Sequence, residues 1–224
     1  MNYYLISYPL DIADMGYPGE PTLSIEASSR IDKGDHYNSS IIHLFNHFGT
    51  HFDAPKHFNH NGPSITELPL SQFLYDKPLL IDIPKQSGSM IEKEDLMPHL
   101  GAIQQADCLL IRTGLEGLRQ SSPKEYAENG GAVSINAAQY LIDHAKNLKA
   151  IGFDFISLAS PAHPDHGIKA HQIMLGMYSD NYICILQDMK LSTINAASLS
   201  TVMAAPLLVK GIDSAQVTVL ASEC

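Results

Sequence analysis

One short stretch constrains this chain more than any other: residues 46–58, which read NHFGTHFDAPKHF. It contains four side chains that can bind a cation, namely His47, His51, Asp53 and His57. Six of the chain's 11 histidines lie between positions 36 and 60, so the enrichment is local. Imidazole nitrogens and carboxylate oxygens are donors that Zn²⁺ and Mn²⁺ accept in proteins. The stretch therefore predicts a metal site rather than a chance grouping.

The spacing of these donors predicts an extended segment with a bend. Side chains alternate sides along a strand, so the odd-numbered donors would face one way. A straight strand would hold the α-carbons of His47 and His51 about 13 Å apart, at roughly 3.3 Å per residue, which is near the outer reach of two imidazoles sharing one ion. Gly49 permits the bend that brings them together. A helix is disfavoured, because Gly49, Thr50 and Pro55 all oppose one.

The four donors divide into a ligand set and a proton carrier. The compact ligand set is His47, His51 and Asp53. His57 is left as the proton carrier, because an imidazole titrates near neutral pH. The other histidines of the region lack this tight spacing and are interpreted as ordinary side chains: His36, His43 and His60.

The pattern His-x-Gly-Thr-His-x-Asp-x-Pro-x-His, intact from His47 to His57, resembles the signature of the cyclase-like metal-dependent hydrolases. These include the bacterial kynurenine formamidases (arylformamidases) and the isatin hydrolases. The resemblance implies a swivelling β/β/α-type fold over residues 1–224 and a homodimer or homotetramer. It also implies hydrolysis of an amide or formamide C–N bond in a small substrate that can be aromatic, with N-formylkynurenine and isatin as precedents.

Two downstream positions extend the resemblance. Family members with two metals add a histidine and then a glutamate in a short strand, and the matching residues here are His171 (in KAHQIML) and Gln187 (in ICILQDM). A neutral amide can lend a carbonyl oxygen to a cation but brings no negative charge. The resemblance to the isatin hydrolase branch, where the ion is Mn²⁺, therefore implies one divalent ion per chain, Mn²⁺ or Zn²⁺. Gln187 is then a fourth ligand, and His171 positions the water, the metal or the substrate.

Two loops supply further candidates for the substrate pocket. Tyr17 and Pro18 resemble an aromatic-Pro-Gly stretch that family members place near the pocket, and a tight surface turn is an equal alternative. His163 and His166, on either side of Asp165, could line the pocket or form a second metal site, although a solvated loop is favoured over both.

Two carboxylates are expected to lie outside the chemistry. Asp188 follows Gln187 in a predicted strand and should point to the opposite face, so we interpret it as a solvent-facing or capping carboxylate. Asp154 lies at the end of another predicted strand, where the family has Gly-x-Asp, and is expected either to be structural or to support a residue of the site from behind.

Composition excludes several classes of protein. With 224 residues, 45% hydrophobic and 17% charged, the chain suits a single soluble domain. A net charge of −10 argues against nucleic-acid binding, and no apolar run approaches the roughly 20 residues that span a bilayer. The start MNYYLISYPL shows no secretory signal, so a cytoplasmic location is expected. The scattered Cys108, Cys184 and Cys224 form no disulfide framework, and the first two should be core residues.

Hydrophobic periodicity predicts an α/β fold with a mixed sheet packed with helices. The predicted strands cover residues 3–8, 22–28, 37–46, 79–83, 107–112, 150–155, 182–186, 206–210 and 216–220. The predicted helices cover residues 64–74, 92–100, 134–145, 168–178 and 195–204, with Ser134 and Asn195 as N-caps, and residues 123–129 form either a short helix or a loop.

The predicted chemistry is hydrolysis by a metal-activated water, with His57 as general base and then acid. Two alternatives remain open. The same site could hydrolyse a lactone or ester, because the hydroxide attacks any activated carbonyl. The chain could also be a non-catalytic protein that binds a metal or small molecule; the intact His57 argues against this, and Gln187 argues mildly for it.

Overall fold

The computed structural model describes residues 2–224. Within this range the strands are β1 (Asn2–Leu5), β2 (Leu23–Ser29), β3 (Ser39–Leu44), β4 (His51–Asp53), β5 (Leu74–Tyr75), β6 (Pro78–Asp82), β7 (Met90–Ile91), β8 (Cys108–Arg112), β9 (Ala132–Val133), β10 (Ala150–Phe153), β11 (Cys184–Gln187), β12 (Leu199–Pro206) and β13 (Ser214–Glu223). The α-helices are α1 (Lys93–Leu96), α2 (Leu100–Ile103), α3 (Glu116–Ser121), α4 (Pro123–Glu128), α5 (Ile135–His144) and α6 (Pro164–Met174).

A nine-stranded mixed sheet organises the described residues. Its order is β5-β12-β13-β4-β11-β10-β8-β6, with β1 added antiparallel to β13. The strands β6, β8, β10 and β11 are parallel, and the remaining pairs are antiparallel. The two end strands of this order, β5 and β6, are joined by Asp76 and Lys77 alone, so the sheet curls into a nearly closed barrel. The predicted mixed sheet packed with helices is confirmed.

The central parallel strands are buried on both faces, which explains their unbroken apolar sequence. In β8, Leu109 and Ile111 face the helices, whereas Cys108 and Leu110 face the interior of the curled sheet. The two hydrophobic cores therefore lie on opposite sides of the same strands. The predicted burial of Cys108 and Cys184 is confirmed.

Helix α5 covers the outer side of the sheet in the way the sequence predicts. Ser134 is its N-cap, and its side chain accepts a hydrogen bond of 3.2 Å from the backbone N–H of Ala137. The predicted apolar stripe is buried: Ala138, Leu141, Ile142 and Ala145.

Four predicted elements are wrong or shifted. The helix predicted over residues 64–74 is two 3₁₀ turns, Ile65–Glu67 and Leu70–Phe73, and Leu74 already belongs to β5. The helix predicted over residues 195–204 is a turn followed by β12, in which Val202 and Ala204 are buried and Met203 is exposed, the alternation of a strand. The strand predicted over 206–210 contains only the last residue of β12. Helix α6 begins at Pro164 rather than 168, because proline suits the first turn of a helix.

Strand β4 fixes the donor-rich segment within the sheet. It is flanked by β11 on one side and β13 on the other, with Ile185 and Ser214 both paired with Asp53. Residues from three distant parts of the chain thereby meet at its end. Among residues 2–224, no helix combines the length and apolar character needed to traverse a bilayer.

Candidate metal centre

The bend predicted in the donor stretch lies at Gly49, as expected. Gly49 has φ +67°, a conformation that favours glycine, and a side chain there would collide with Leu10. After the bend, His51 and Asp53 lie on β4 and project to the same side, two residues apart. His57 follows in a single 3₁₀ turn over Pro55–His57. The segment thus has the bent, extended form that its sequence predicts.

Asp53 is the centre of the donor cluster. Its carboxylate is fully buried, and three imidazoles surround it. His47 Nδ1 lies 3.1 Å from Asp53 Oδ1, and His51 Nε2 lies 3.6 Å from the same oxygen. His171 Nε2, from α6, lies 3.9 Å from Asp53 Oδ2. Asp53 Oδ1 is buried, and no hydrogen bond of acceptable geometry reaches it from the described residues.

The two deeper imidazoles are held with their Nε2 atoms towards Asp53. His51 Nδ1 lies 2.8 Å from the carbonyl oxygen of Gly49, and His171 Nδ1 lies 2.8 Å from that of Gly167. A carbonyl oxygen accepts a hydrogen bond from Nδ1–H, so the neutral ring presents a lone pair at Nε2. Burial lowers the pKa of His51 and lowers that of His171 to about 4, which keeps both rings neutral at pH 7.

Asp213, which the sequence analysis missed, lies on the other side of the cluster. Its Oδ2 is 2.9 Å from His57 Nδ1 and 3.0 Å from His47 Nε2, and Asn46 Nδ2 donates to its Oδ1 at 2.9 Å. Burial raises the pKa of this carboxyl, but the hydrogen bonds from His47 and His57 outweigh it and hold the pKa well below its usual range. Asp213 is therefore an anion that orients two imidazoles.

His47 bridges the two carboxylates. Burial disfavours charge on its ring, but the hydrogen bond to Asp213 and the nearby negative charge of Asp53 prevail and raise its pKa to about 10. Burial likewise disfavours charge on Asp53, and the surrounding histidines, His57 foremost, hold its pKa well below the usual range. Positive charge is thus stabilised between two anions at this point.

The donor atoms form three overlapping groups that could hold a metal ion. In each group the donor atoms lie within 4.8 Å of one another. The groups are His47, His51 and Asp53; His47, His57 and Asp213; and Asp53, His57 and His171. The first is the predicted ligand set, so the structure brings those three residues together. The fit to a divalent cation is chemical as well as geometric, because two imidazole lone pairs and a buried carboxylate oxygen converge.

Gln187 contacts the cluster differently from the prediction. It pairs with His51 across β11 and β4, and it is buried beside Asp53 as expected. Its carbonyl oxygen, the predicted fourth metal ligand, instead accepts a hydrogen bond of 3.1 Å from the backbone N–H of Leu158. Its amide group donates to Asp53 Oδ2. In this arrangement Gln187 holds the carboxylate by hydrogen bonding.

A cavity of about 230 Å³ opens beside the imidazoles. His47, His51, His57, His171 and Gln187 form its polar side. Its apolar side includes Tyr17, Phe45, Phe58, Ile156 and Ile168. The ring of Phe58 stacks on His171, with centroids 4.6 Å apart and planes 19° from parallel. A flat apolar group fits such walls while its polar end lies against the donors.

The remaining candidates lie at varied distances from this cavity. Tyr17 lines it, and the adjacent Pro18 does not. His163, the residue before α6, and His166, in the first turn of α6, also lie outside the lining of the cavity. His163 Nε2 is 2.7 Å from the carbonyl oxygen of Gly88, which ties that ring to a distant loop.

The hydrogen-bond partners of Asp154 and Asp188 show what these two carboxylates do. Asp154 accepts hydrogen bonds from the backbone N–H groups of Thr113 and Gly114 at 2.8–3.0 Å, which confirms its predicted structural role. The prediction for Asp188 is wrong: it is 3% exposed and its carboxylate binds Arg119 and Tyr126. Its φ of +53° turns the chain out of the strand geometry on which that prediction depended.

Comparisons with known proteins identify a family and related folds. The family model described as "Putative cyclase" matches residues 5–160. An uncharacterized protein of Haemophilus influenzae is 37% identical over 119 residues, which are 53% of this chain and 84% of that protein. Isatin hydrolase A from Labrenzia aggregata, bound to benzyl benzoate, has a TM-score of 0.81 at 21% identity, over 98% of this chain and 93% of that one. The structure of a predicted metal-dependent hydrolase from Bacillus stearothermophilus has a TM-score of 0.73 at 24% identity, over 98% and 97%.

Proposed function

This chain belongs to the Cyclase family, and from that premise we propose that it is a metal-dependent hydrolase of an amide or formamide C–N bond in a small aromatic substrate. One observation carries the metal dependence: the Nε2 lone pairs of His51 and His171 face the buried carboxylate of Asp53. Acceptors arranged in this way repel one another unless positive charge lies among them; the protonated His47 supplies that charge in the metal-free protein, and a bound cation would replace it once His47 loses its proton. Zn²⁺ and Mn²⁺ are the candidate ions, because nitrogen and oxygen donors suit both.

The proposed ligands are His47, His51 and Asp53, with His171 close enough to complete the set. Gln187 supports them through its hydrogen bond to Asp53, and turning its amide would offer the carbonyl oxygen as the predicted further ligand. A divalent cation held there supplies Lewis acidity, which acidifies water and polarises a carbonyl group.

His57 is proposed as the group that moves the proton. Its Nδ1 donates to Asp213 at 2.9 Å, and the ring lines the cavity, so Nε2 is the nitrogen available to take a proton from the attacking water. The anionic Asp213 fixes the tautomer and stabilises the imidazolium that results, as the carboxylate of a catalytic triad does. The same nitrogen then returns the proton to the leaving nitrogen of the substrate.

The walls of the cavity support an aromatic substrate. Phe45 and Phe58 present ring faces or edges near the imidazoles, and Phe58 is held in place by stacking on His171. Because aromatic pairs are stabilised by offset or edge contacts, a planar ring is preferred over a flexible chain of the same size. Isatin and N-formylkynurenine both have such a ring beside the bond to be cleaved.

The test combines metal analysis with an activity panel. Purified protein is loaded with Mn²⁺ or Zn²⁺, its ions per chain are measured, and it is assayed on isatin, N-formylkynurenine and a set of lactones. Asp53→Asn should lose the ion, while Asp143→Asn, on the exposed face of α5, should keep it. If the metal-loaded protein hydrolyses none of these substrates, the proposed hydrolase function is refuted. If it hydrolyses lactones alone, the proposed specificity for amide or formamide bonds is refuted.

A further inference from the structure

A second buried charge cluster lies close to the metal centre and is built around Arg119 of α3. Its guanidinium group, with the side chain 11% exposed, binds two carboxylates at once. Nη1 and Nη2 donate to the two oxygens of Asp14 at 3.2 and 2.9 Å. Nε and Nη2 donate to Asp188 at 3.0 and 3.1 Å. The ring of Tyr8 covers the guanidinium at 4.0 Å, so the group is enclosed as well as paired.

The Asp188 end of this cluster is fixed from several directions. The hydroxyl of Tyr126 donates to its Oδ1 at 2.7 Å, and its backbone N–H donates to the carbonyl of Phe155 at 2.9 Å. The hydroxyl of Thr50, in the donor-rich segment, donates to the Asp188 carbonyl. A non-glycine residue at positive φ persists only where its surroundings hold it in this way. Asp188 is therefore a rigid anchor next to Gln187.

The Asp14 end of the cluster belongs to an irregular segment, residues 9–21, between β1 and β2. Its internal hydrogen bonds join Ala13 and Asp14 to Asp11, and Glu20 to Tyr17. Across the described chain, the hydrogen bonds that connect this segment to the rest of the protein are those between Asp14 and Arg119. The same segment carries Tyr17 and Glu20, which line the cavity beside the imidazoles.

From this arrangement we propose that Arg119 is a positioning residue that ties the segment 9–21 to the Asp188 anchor and so holds Tyr17 over the substrate cavity. The guanidinium fork suits this task, because it binds two carboxylates in fixed directions. The part of the inference that concerns substrate rests on the proposed hydrolase function. The part that concerns the tether does not, because it depends on contacts outside the metal ligands.

The substitution that separates these parts is Asp14→Asn. Replacing Arg119 would leave the buried Asp188 without its cation and could unfold the protein. Asp14 is the more exposed of the two carboxylates that Arg119 binds, so its replacement disturbs the buried charges less. The matched control is Asp11→Asn, in the same segment: Asp11 Oδ1 accepts from the Ala13 N–H, which an asparagine oxygen can also do.

Hydrogen exchange measured by mass spectrometry on the metal-loaded protein tests the tether without any substrate. We expect the amides of residues 12–20 to exchange about tenfold faster in Asp14→Asn, the size expected from losing a charge-assisted hydrogen bond. Asp11→Asn should exchange like the parent protein. Equal exchange in the two variants would overturn the proposal, whether or not the protein is a hydrolase.

Steady-state kinetics then tests the effect on substrate. For the substrate of the panel that is hydrolysed, Asp14→Asn should raise KM about tenfold and leave kcat within about twofold, because the metal ligands and His57 are unchanged. Asp14→Glu, which restores the carboxylate, should recover part of the loss. Faster exchange with an unchanged KM would show that the segment does not position substrate and would overturn that part. A protein without hydrolase activity would refute the proposed function, while exchange would still decide the tether.

Discussion

Gln187→Glu would replace the amide beside Asp53 with a second carboxylate. In the native protein the Gln187 amide donates to Asp53, and both side chains are at most 1% exposed. A glutamate brings another negative charge to within ~4 Å, where repulsion is about 4 kcal/mol at an effective dielectric constant of 20. The glutamate could instead be protonated at pH 7, which avoids the repulsion. The cost is similar, because the pKa of its carboxyl must rise by ~3 units and each unit costs about 1.4 kcal/mol. We therefore expect the metal-free variant to lose about 4 kcal/mol of unfolding free energy.

The assay is urea denaturation in the presence of a chelator, followed by circular dichroism because the chain has no tryptophan. With saturating Mn²⁺ or Zn²⁺ the difference between variant and parent should shrink, since a cation attracts both carboxylates. Elemental analysis should find more ions per chain in the variant than in the parent.

The matched control is Gln139→Glu on the exposed face of α5. Gln139 also donates to a carboxylate, Asp143, at 2.9 Å, so the chemical change is the same. Solvent screens the repulsion there, and the expected cost is below about 1 kcal/mol. Equal costs for the two variants, or a cost for Gln187→Glu that metal does not relieve, would refute the arrangement of Gln187 and Asp53 described above.

Three further predictions use other parts of the structure. His57→Ala should keep its metal and lose about 10²- to 10⁴-fold in kcat, the usual contribution of a general acid–base group, and full turnover in a metal-loaded variant would contradict its role. In the native protein, Cys224 should be the one thiol that reacts with Ellman's reagent, because Cys108 and Cys184 are buried and burial raises the pKa of both thiols. After denaturation all 3 cysteines should react. In chelated protein, burial lowers the pKa of His171 from 6.5 to about 4, so between these pH values the unfolded chain binds one proton more than the folded chain. The unfolding free energy should therefore fall as the pH falls from 6.5 to 4, by up to about 1.4 kcal/mol per pH unit. Urea titrations at a series of pH values should find a smaller slope in His171→Asn.

The donor segment could be predicted from the sequence because its information is local. His51 and Asp53 are two residues apart, so strand geometry alone puts them on one face, and Gly49 marks the bend. The burial of α5 was predictable for the same reason, since its apolar stripe repeats within three turns.

Asp213 could not be predicted, because its position depends on strand pairing between distant parts of the chain. It lies 156 residues from His57, and the register that pairs Ser214 with Asp53 brings it to the cluster. The sequence around it, Gly-Ile-Asp-Ser, is that of an ordinary turn before a strand. A carboxylate that directly precedes a predicted strand was the available signal, and it is a weak one.

The error over residues 195–204 has a different cause. This stretch contains three alanines, a leucine and a methionine, which favour a helix, but the pairing of its second half with β5 and β13 makes that half a strand. Tertiary contacts decided the outcome against local preference. The predicted homo-oligomer, the cytoplasmic location and the identity of the metal and substrate stay predictions.

The position of β13 has a consequence for how the protein is made. This strand is paired with β1, β4 and β12, so it joins early and late parts of the chain, and it directly follows Asp213. Until residues 213 and 214 have been translated, β4 lacks one neighbour and His57 lacks its anion. The hydrogen bond that orients His57 should therefore form only after this strand has been translated and has paired with β4.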